Sequence, residues 1–138
     1  QSLTFTGVSV GNPHCVVFKP AGQSWSHEDL VKLGPALENH ALFPKRTNVQ
    51  LAVPTGPREL FILIWERGAG ETQASGSSSC AAASAAVRLG LVKSPVTVKM
   101  PGGQLNIQVA QDFSLTMKGP VAEVARGSLS PSFVRSLR

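Results

Sequence analysis

The chain has 138 residues, 42% of them hydrophobic and 15% charged, and carries a net charge of +5; that is enough apolar material for one globular core and too little charge for a disordered chain. No apolar run approaches the roughly 18 residues of a membrane span, and Gln1-Ser2-Leu3-Thr4-Phe5 lacks the basic and apolar regions of a secretory leader, so a soluble, cytoplasmic protein is expected. The basic residues are scattered, only Lys45-Arg46 being adjacent, and tyrosine is absent, which argues against nucleic acid and leaves a mild attraction for a small acidic molecule.

In chain order, Leu3 to Val10 is rich in β-formers and predicts a strand that Cys15 to Phe18 continues. Between them lies Gly11-Asn12-Pro13-His14, a turn expected to aim the side chains of Asn12 and His14. Ser26 before His27-Glu28-Asp29 is an N-cap with an acidic first turn, opening a helix through Leu33; Gly34-Pro35 should interrupt it, with one more turn over Ala36 to Asn39. Thr47 to Val53 and Glu59 to Trp65 read as strands around Pro54-Thr55-Gly56-Pro57, a hairpin-like connection. Glu66-Arg67-Gly68-Ala69-Gly70-Glu71 reads as a charged loop, followed by a small-residue turn from Ala74 to Ser79 and an alanine-rich helix from Cys80 to Leu89. Gly90 ends that helix. Strands over Val96–Met100, Leu105–Ala110 and Phe113–Lys118 form a meander, and a short helix over Ser130–Arg138 closes the tail.

The alanine-rich helix organises the rest. It is apolar or small on nearly every side, with Arg88 its one charge, so it belongs inside a fold. The expected architecture is therefore α+β: a curled, mostly antiparallel sheet, half-barrel to barrel, wrapped around one central buried helix and giving each of its faces a partner. At the amino-terminal end Gly76 frees the backbone and Ser77, Ser78 and Ser79 are natural caps, so free N–H groups should face outward. Two readings stand open: a carboxylate- or phosphate-binding terminus, or merely a well-capped buried helix.

Four places offer polar groups at element ends: Asn12 with His14, Arg46-Thr47-Asn48, Glu66-Arg67, and Ser75 to Ser78. Each has a bland alternative, respectively a turn residue, a strand cap, a structural ion pair and a helix cap. The two cysteines, Cys15 and Cys80, show no CxxC or zinc spacing, so they are expected as free thiols, Cys80 packing as a small hydrophobe. His27 and His40 read as surface residues. Serine-hydrolase, nucleotide-triphosphatase and dinucleotide motifs are absent from the sequence.

The segments GNPHCVVF, LGPALENHALFPKRTNV, WERGAGETQASGSSSCAAA, VTVKMPGGQLNI and LTMKGPVAEV together resemble the C-terminal half of the diaminopimelate epimerase family, essentially end to end. The resemblance implies one domain over 1–138, equivalent to one of two similar halves, each a β-barrel around a central helix with an amino-acid substrate between them. It implies inversion at Cα with no cofactor and no metal, one cysteine from each half serving as thiolate base and thiol acid. Transferred by position, it implies that Asn12, Asn48, Glu66 and Arg67 contact the substrate's amino and distal carboxylate groups, that His14 lies beside the reacting centre, and that the amides of Gly76 and Ser77 hold the α-carboxylate.

Two departures stand out. The family's turn reads Cys-Gly-Thr/Ser-Gly-Ala-Cys, whereas this chain has Ser75-Gly76-Ser77-Ser78-Ser79-Cys80; Ser75 occupies the catalytic cysteine's position, and its hydroxyl needs a base such as His14 or Glu66. The N-terminal half is also lacking, and the chain begins with Gln rather than Met, as an excised piece of something longer would. The isolated chain is thus expected to be inactive as an epimerase, and to pair with a missing half or with itself. Two alternatives are kept: a carboxylate-binding module without chemistry, and a phenazine-biosynthesis-type isomerase using Glu66 or Glu71.

Overall fold

In the computed structural model, which describes residues 2–138, eight strands form one curled sheet. They are β1 (Thr6–Ser9), β2 (Pro13–Phe18), β3 (Asn48–Gly56), β4 (Glu59–Glu66), β5 (Gly70–Thr72), β6 (Val96–Met100), β7 (Gly103–Val109) and β8 (Leu115–Lys118), joined by α1 (His27–Glu38), α2 (Gly76–Arg88) and a terminal α3 (Pro131–Ser136). The order is β1-β2-β3-β4-β6-β7-β8, with β5 paired to β4 off this path. β2 runs parallel to β3 and β4 parallel to β6, and the other pairings are antiparallel. The sheet is thus mixed. β1 and β8 end it without pairing with each other, which makes it a half-barrel.

Two apolar clusters sit on its two sides. Inside the curl, Val16, Ala52, Leu60, Ile62, Ile64, Val98 and Ile107 surround the alanines of α2. Outside, Cys15, Val17, Val49 and Leu51 meet Leu30, Leu33 and Leu37 of α1, with Trp25 and Trp65. β3 lies between the two helices, which is why Asn48 to Pro54 is buried without a break. Alanine at Ala81, Ala82, Ala83, Ala85 and Ala86 lets the strands close in on α2 while favouring the helix itself.

The central helix starts four residues earlier than expected, at Gly76, and its N-cap is Ser75 rather than one of Ser77 to Ser79. Nor is every face covered. Ser77, Cys80 and Ser84 line a slot of about 500 Å³ between β1 and β8, together with Val8, Leu115 and Met117, because the sheet does not close there.

α1 also departs from expectation by running unbroken through Gly34-Pro35. Pro35 forfeits one helical hydrogen bond, but the stripe of Leu30, Leu33 and Leu37 is seated on the sheet, and burial of that stripe outweighs the loss. Gly34 is needed for the fit, since a Cβ there would stand 2.6 Å from the Trp65 ring. Ser26 and Asp29 form the capping box at its start. β1 is shorter than the expected strand, and the expected loop 66–71 becomes the end of β4, a turn and the short β5.

Candidate functional site

Strand alternation assembles the polar groups. Along β4, Leu60, Ile62 and Ile64 point into the curl, and Glu66 follows on the same parity. Along β3 the inward set is Asn48, Gln50 and Ala52, and along β2 it is His14 and Val16. Cross-strand register puts His14 beside Asn48 and Gln50 between Val16 and Ile64, so these polar side chains gather at one end of the half-barrel. His14 is therefore a buried strand residue and not part of the preceding turn.

A continuous hydrogen-bonded path leads from that cluster to the tip of α2. His14 Nε2 lies 2.9 Å from Asn12 Oδ1, His14 Nδ1 lies 2.9 Å from Gln50 Nε2, and Gln50 Nε2 donates to Ser78 Oγ at 3.0 Å. The Ser78 amide in turn donates to Ser75 Oγ at 3.3 Å. Burial lowers the His14 pKa from its ordinary value; its hydrogen bond with Gln50 and the Glu66 charge oppose the fall, while Arg67 adds to it. The imidazole is neutral at pH 7, with both nitrogens engaged.

Ser75 has extended backbone and caps α2; its carbonyl accepts from the Ser79 amide at 3.1 Å and from Ser79 Oγ at 2.8 Å. The segment before it is pinned where Gly102 N donates to Gln73 O at 2.7 Å. Ser75 Oγ has Ser77 Oγ at 3.5 Å and the Ser78 amide as its partners, with no hydrogen bond to His14 or Glu66. The amides of Gly76 and Ser77, at the first two helical positions, donate to no protein acceptor among the described residues.

The turn after β4 is held from below. Asn48 is clamped at both ends, its Nδ2 donating to Pro13 O at 3.0 Å and its Oδ1 accepting from Arg67 N at 2.8 Å. Glu38, from the end of α1 and only 6% exposed, accepts from Trp65 Nε1 and Gly68 N at 2.8 Å each and from Arg46 Nη1 at 3.0 Å. Those bonds, led by the one from Trp65, hold its carboxyl below the usual carboxylate range. Arg67 projects outward, with Nη1 on Lys45 O at 3.1 Å. No ion pair joins Glu66 to Arg67 among the described residues, and the charge of the half-buried Glu66 acts on His14, raising its pKa against the effect of burial.

Glu71 turns away and pairs with His27 at 2.8 Å on the surface. Burial drives Cys15 up to about 12 and raises Cys80 as well, so neither is a ready thiolate. No cluster of three or more metal-ligating side chains occurs among the described residues.

Sequence reasoning passed over Gln50 and Glu38. Gln50 carried one signal, as the lone polar residue in the run Val49 to Val53. Glu38 carried none, since its partners lie 8, 27 and 30 residues away.

Residues 6–124 match the family model described as diaminopimelate epimerase. Similar proteins bearing that name come from Desulfitobacterium hafniense, 46% identical over 94% of this chain and 44% of that protein, and from Methanothermobacter thermautotrophicus, 43% identical over 94% of this chain and 45% of that protein. A Nostoc protein named diaminopimelate epimerase 2 is 47% identical over 93% of this chain and 44% of its own length. The chain thus spans less than half the length of these relatives. Among solved structures, a Bacillus anthracis phenazine biosynthesis protein of the PhzF family shares the fold, with a TM-score of 0.57 at 14% identity over 83% of this chain and 38% of that one. A putative phenazine biosynthesis protein from Clostridium difficile aligns with a TM-score of 0.58 at 13% identity over 79% of this chain and 40% of that one.

Proposed function

Because the chain belongs to the diaminopimelate epimerase family, we propose that residues 1–138 are the C-terminal, substrate-binding half of a cofactor-independent amino-acid epimerase-like protein. The observation that carries this is the tip of α2, where the Gly76 and Ser77 amides have no protein acceptor among the described residues and the adjoining Ser78 is joined through Gln50 to His14. Removing an α-proton pushes charge onto the substrate's carboxylate oxygens. Fixed amide dipoles at a helix amino terminus stabilise that charge without reorganising, and most strongly in the transition state.

In this reading Gly76 and Ser77 hold the α-carboxylate, and Asn12, Asn48, Glu66 and Arg67 serve the amino group and distal carboxylate, Asn48 by holding the Arg67 backbone and Arg67 by swinging its side chain in from Lys45 O. His14 stands beside the reacting carbon. Ser75 occupies the place from which a proton carrier would act, yet a serine hydroxyl without a base on hand does not ionise near neutral pH. Inversion also requires groups on both faces of Cα, and this chain supplies one face. The isolated chain therefore binds a dicarboxylic amino acid without epimerising it, and acts only with a complementary half or a second copy covering the cleft.

The test is titration with diaminopimelate followed by amide NMR. The Gly76 and Ser77 resonances should move with saturable dependence, and solvent deuterium should not enter the Cα position. Unmoved Gly76 and Ser77 amides at millimolar ligand would refute the binding role, and deuterium incorporation by the isolated chain would refute its inactivity. A second reading, a phenazine-type isomerase, draws on Glu66 rather than Glu71, because Glu71 is engaged with His27. It requires Glu66→Gln to abolish turnover in an assembled protein in which Ser75→Ala does not.

A further inference from the structure

Gln50 is fully buried, its amide nitrogen is 2.9 Å from His14 Nδ1 and 3.0 Å from Ser78 Oγ, and its carbonyl oxygen Oε1 has no partner. A primary amide has two hydrogens to give and an oxygen that accepts. As placed, both hydrogens are used and one oxygen is bare. Turned over, the oxygen would accept from a His14 Nδ1–H and from the Ser78 hydroxyl, but two buried hydrogens would be stranded. Orphaned buried donors are rarer than under-used carbonyls, and each carries a desolvation penalty. The orientation with one bare oxygen is therefore the better of the two.

That orientation dictates the state of the imidazole. A ring nitrogen that accepts from Gln50 carries no hydrogen, so the proton of the neutral ring resides on Nε2, where it is donated to Asn12 Oδ1 at 2.9 Å. We propose that Gln50 is a positioning residue that locks neutral His14 in its Nε2–H tautomer, and that Ser78 is the anchor that keeps the Gln50 amide turned toward the ring. This rests on the reading of His14 as a site residue. It adds a specific consequence: in the resting chain Nε2 is a donor, engaged by Asn12 Oδ1, and not a proton acceptor. For Nε2 to accept a proton instead, the Gln50 amide must turn over and present Oε1 to Nδ1–H. Glu66 at the end of β4 and Arg67 in the turn after it are the charged groups acting on the ring, with opposite signs.

The tautomer is directly measurable in the full chain labelled with ¹⁵N-histidine, the three histidines being assigned with His14→Gln. Long-range ¹H–¹⁵N correlation should show a pyridine-type Nδ1 and a pyrrole-type Nε2 for His14 in the unaltered protein. A pyrrole-type Nδ1 overturns the proposal outright. Ser78→Ala strands the second Gln50 hydrogen in the present orientation but costs the turned-over amide only a second bond to an oxygen still held by the ring, so the tautomer ratio should shift toward Nδ1–H, by up to about fivefold. Gln50→Glu, which offers only acceptors, should convert the ring to Nδ1–H. A ratio unmoved in a folded Ser78→Ala protein overturns the anchoring role, and the measurement on the unaltered chain decides the tautomer even where a variant fails to fold. Loss of diaminopimelate binding would not move the resting tautomer, so failure of the functional reading and failure of this one are distinguishable.

Discussion

Replacing Glu38 by alanine tests whether the turn carrying Glu66 and Arg67 is held by the buried end of α1. The change removes the acceptor for Trp65 Nε1, Gly68 N and Arg46 Nη1 together. A hydrogen bond to a charged group contributes about 1.5–3 kcal/mol. The Arg46 side chain is 52% exposed, so its share is at most about 1 kcal/mol, and water reaches Gly68 once the carboxylate is gone. The sum is a loss of about 2–4 kcal/mol at pH 7, read by urea unfolding with tryptophan fluorescence, and faster amide exchange at Arg67 and Gly68. The pH dependence has a definite sign. Because the carboxyl is held below its ordinary 4.5 in the folded chain, its contribution is complete above that value and fades as acid carries the solution through the lower folded pKa. The gap between the two proteins should therefore shrink below pH 4.5. A loss under about 0.5 kcal/mol at pH 7, or a gap that widens in acid, refutes the reasoning.

Two further outcomes follow from the geometry. Ser75→Cys places a thiol at the N-cap beside two free amides, so its pKa should fall below the roughly 8.5 of an unperturbed cysteine; the pH profile of iodoacetamide labelling, against Cys15 and Cys80 whose pKa values burial raises, checks this, and an unshifted profile speaks against an electropositive tip. Gly34→Ala adds a Cβ 2.6 Å from the Trp65 ring, so despite alanine's better helix propensity it should cost about 1–3 kcal/mol by overpacking; equal or higher stability in urea unfolding would contradict the contact.

Much of this arrangement was legible in the residues because it is periodic. The run Val96 to Met100 coincides with β6, and the alanine-rich stretch announced a helix with sheet nearly all round it. Element boundaries failed where distant contacts outvote local propensity. Gly34-Pro35 reads as a break from its own chemistry, but the helix continues because Leu30, Leu33 and Leu37 are seated on β3 and β4. The start of α2 was misplaced because four serines in the stretch from Ser75 to Ser79 are all competent caps, and only the hydrogen bond from the Ser78 amide to Ser75 Oγ selects among them. The slot between β1 and β8 left no trace in the sequence, since closure of a sheet depends on pairing between strands far apart in the chain.

The same hydrogen bond bears on what serine at position 75 does. A hydroxyl oxygen is a strong acceptor for the Ser78 amide, and serine ranks among the best N-cap residues, so the substitution strengthens the end of the helix that presents Gly76 and Ser77. What it removes is acidity, because a thiol there would be drawn toward thiolate by the very amides that a serine leaves available to a guest. Binding and proton transfer thus separate at a single atom. In the proposed function the anion-holding geometry would persist with oxygen or sulfur at that place, whereas the acid–base step would depend on sulfur. Under the proposed function, a chain with Ser75 keeps the helix tip that would hold a carboxylate, and chemistry on a bound amino acid would have to come from the opposite wall of the cleft.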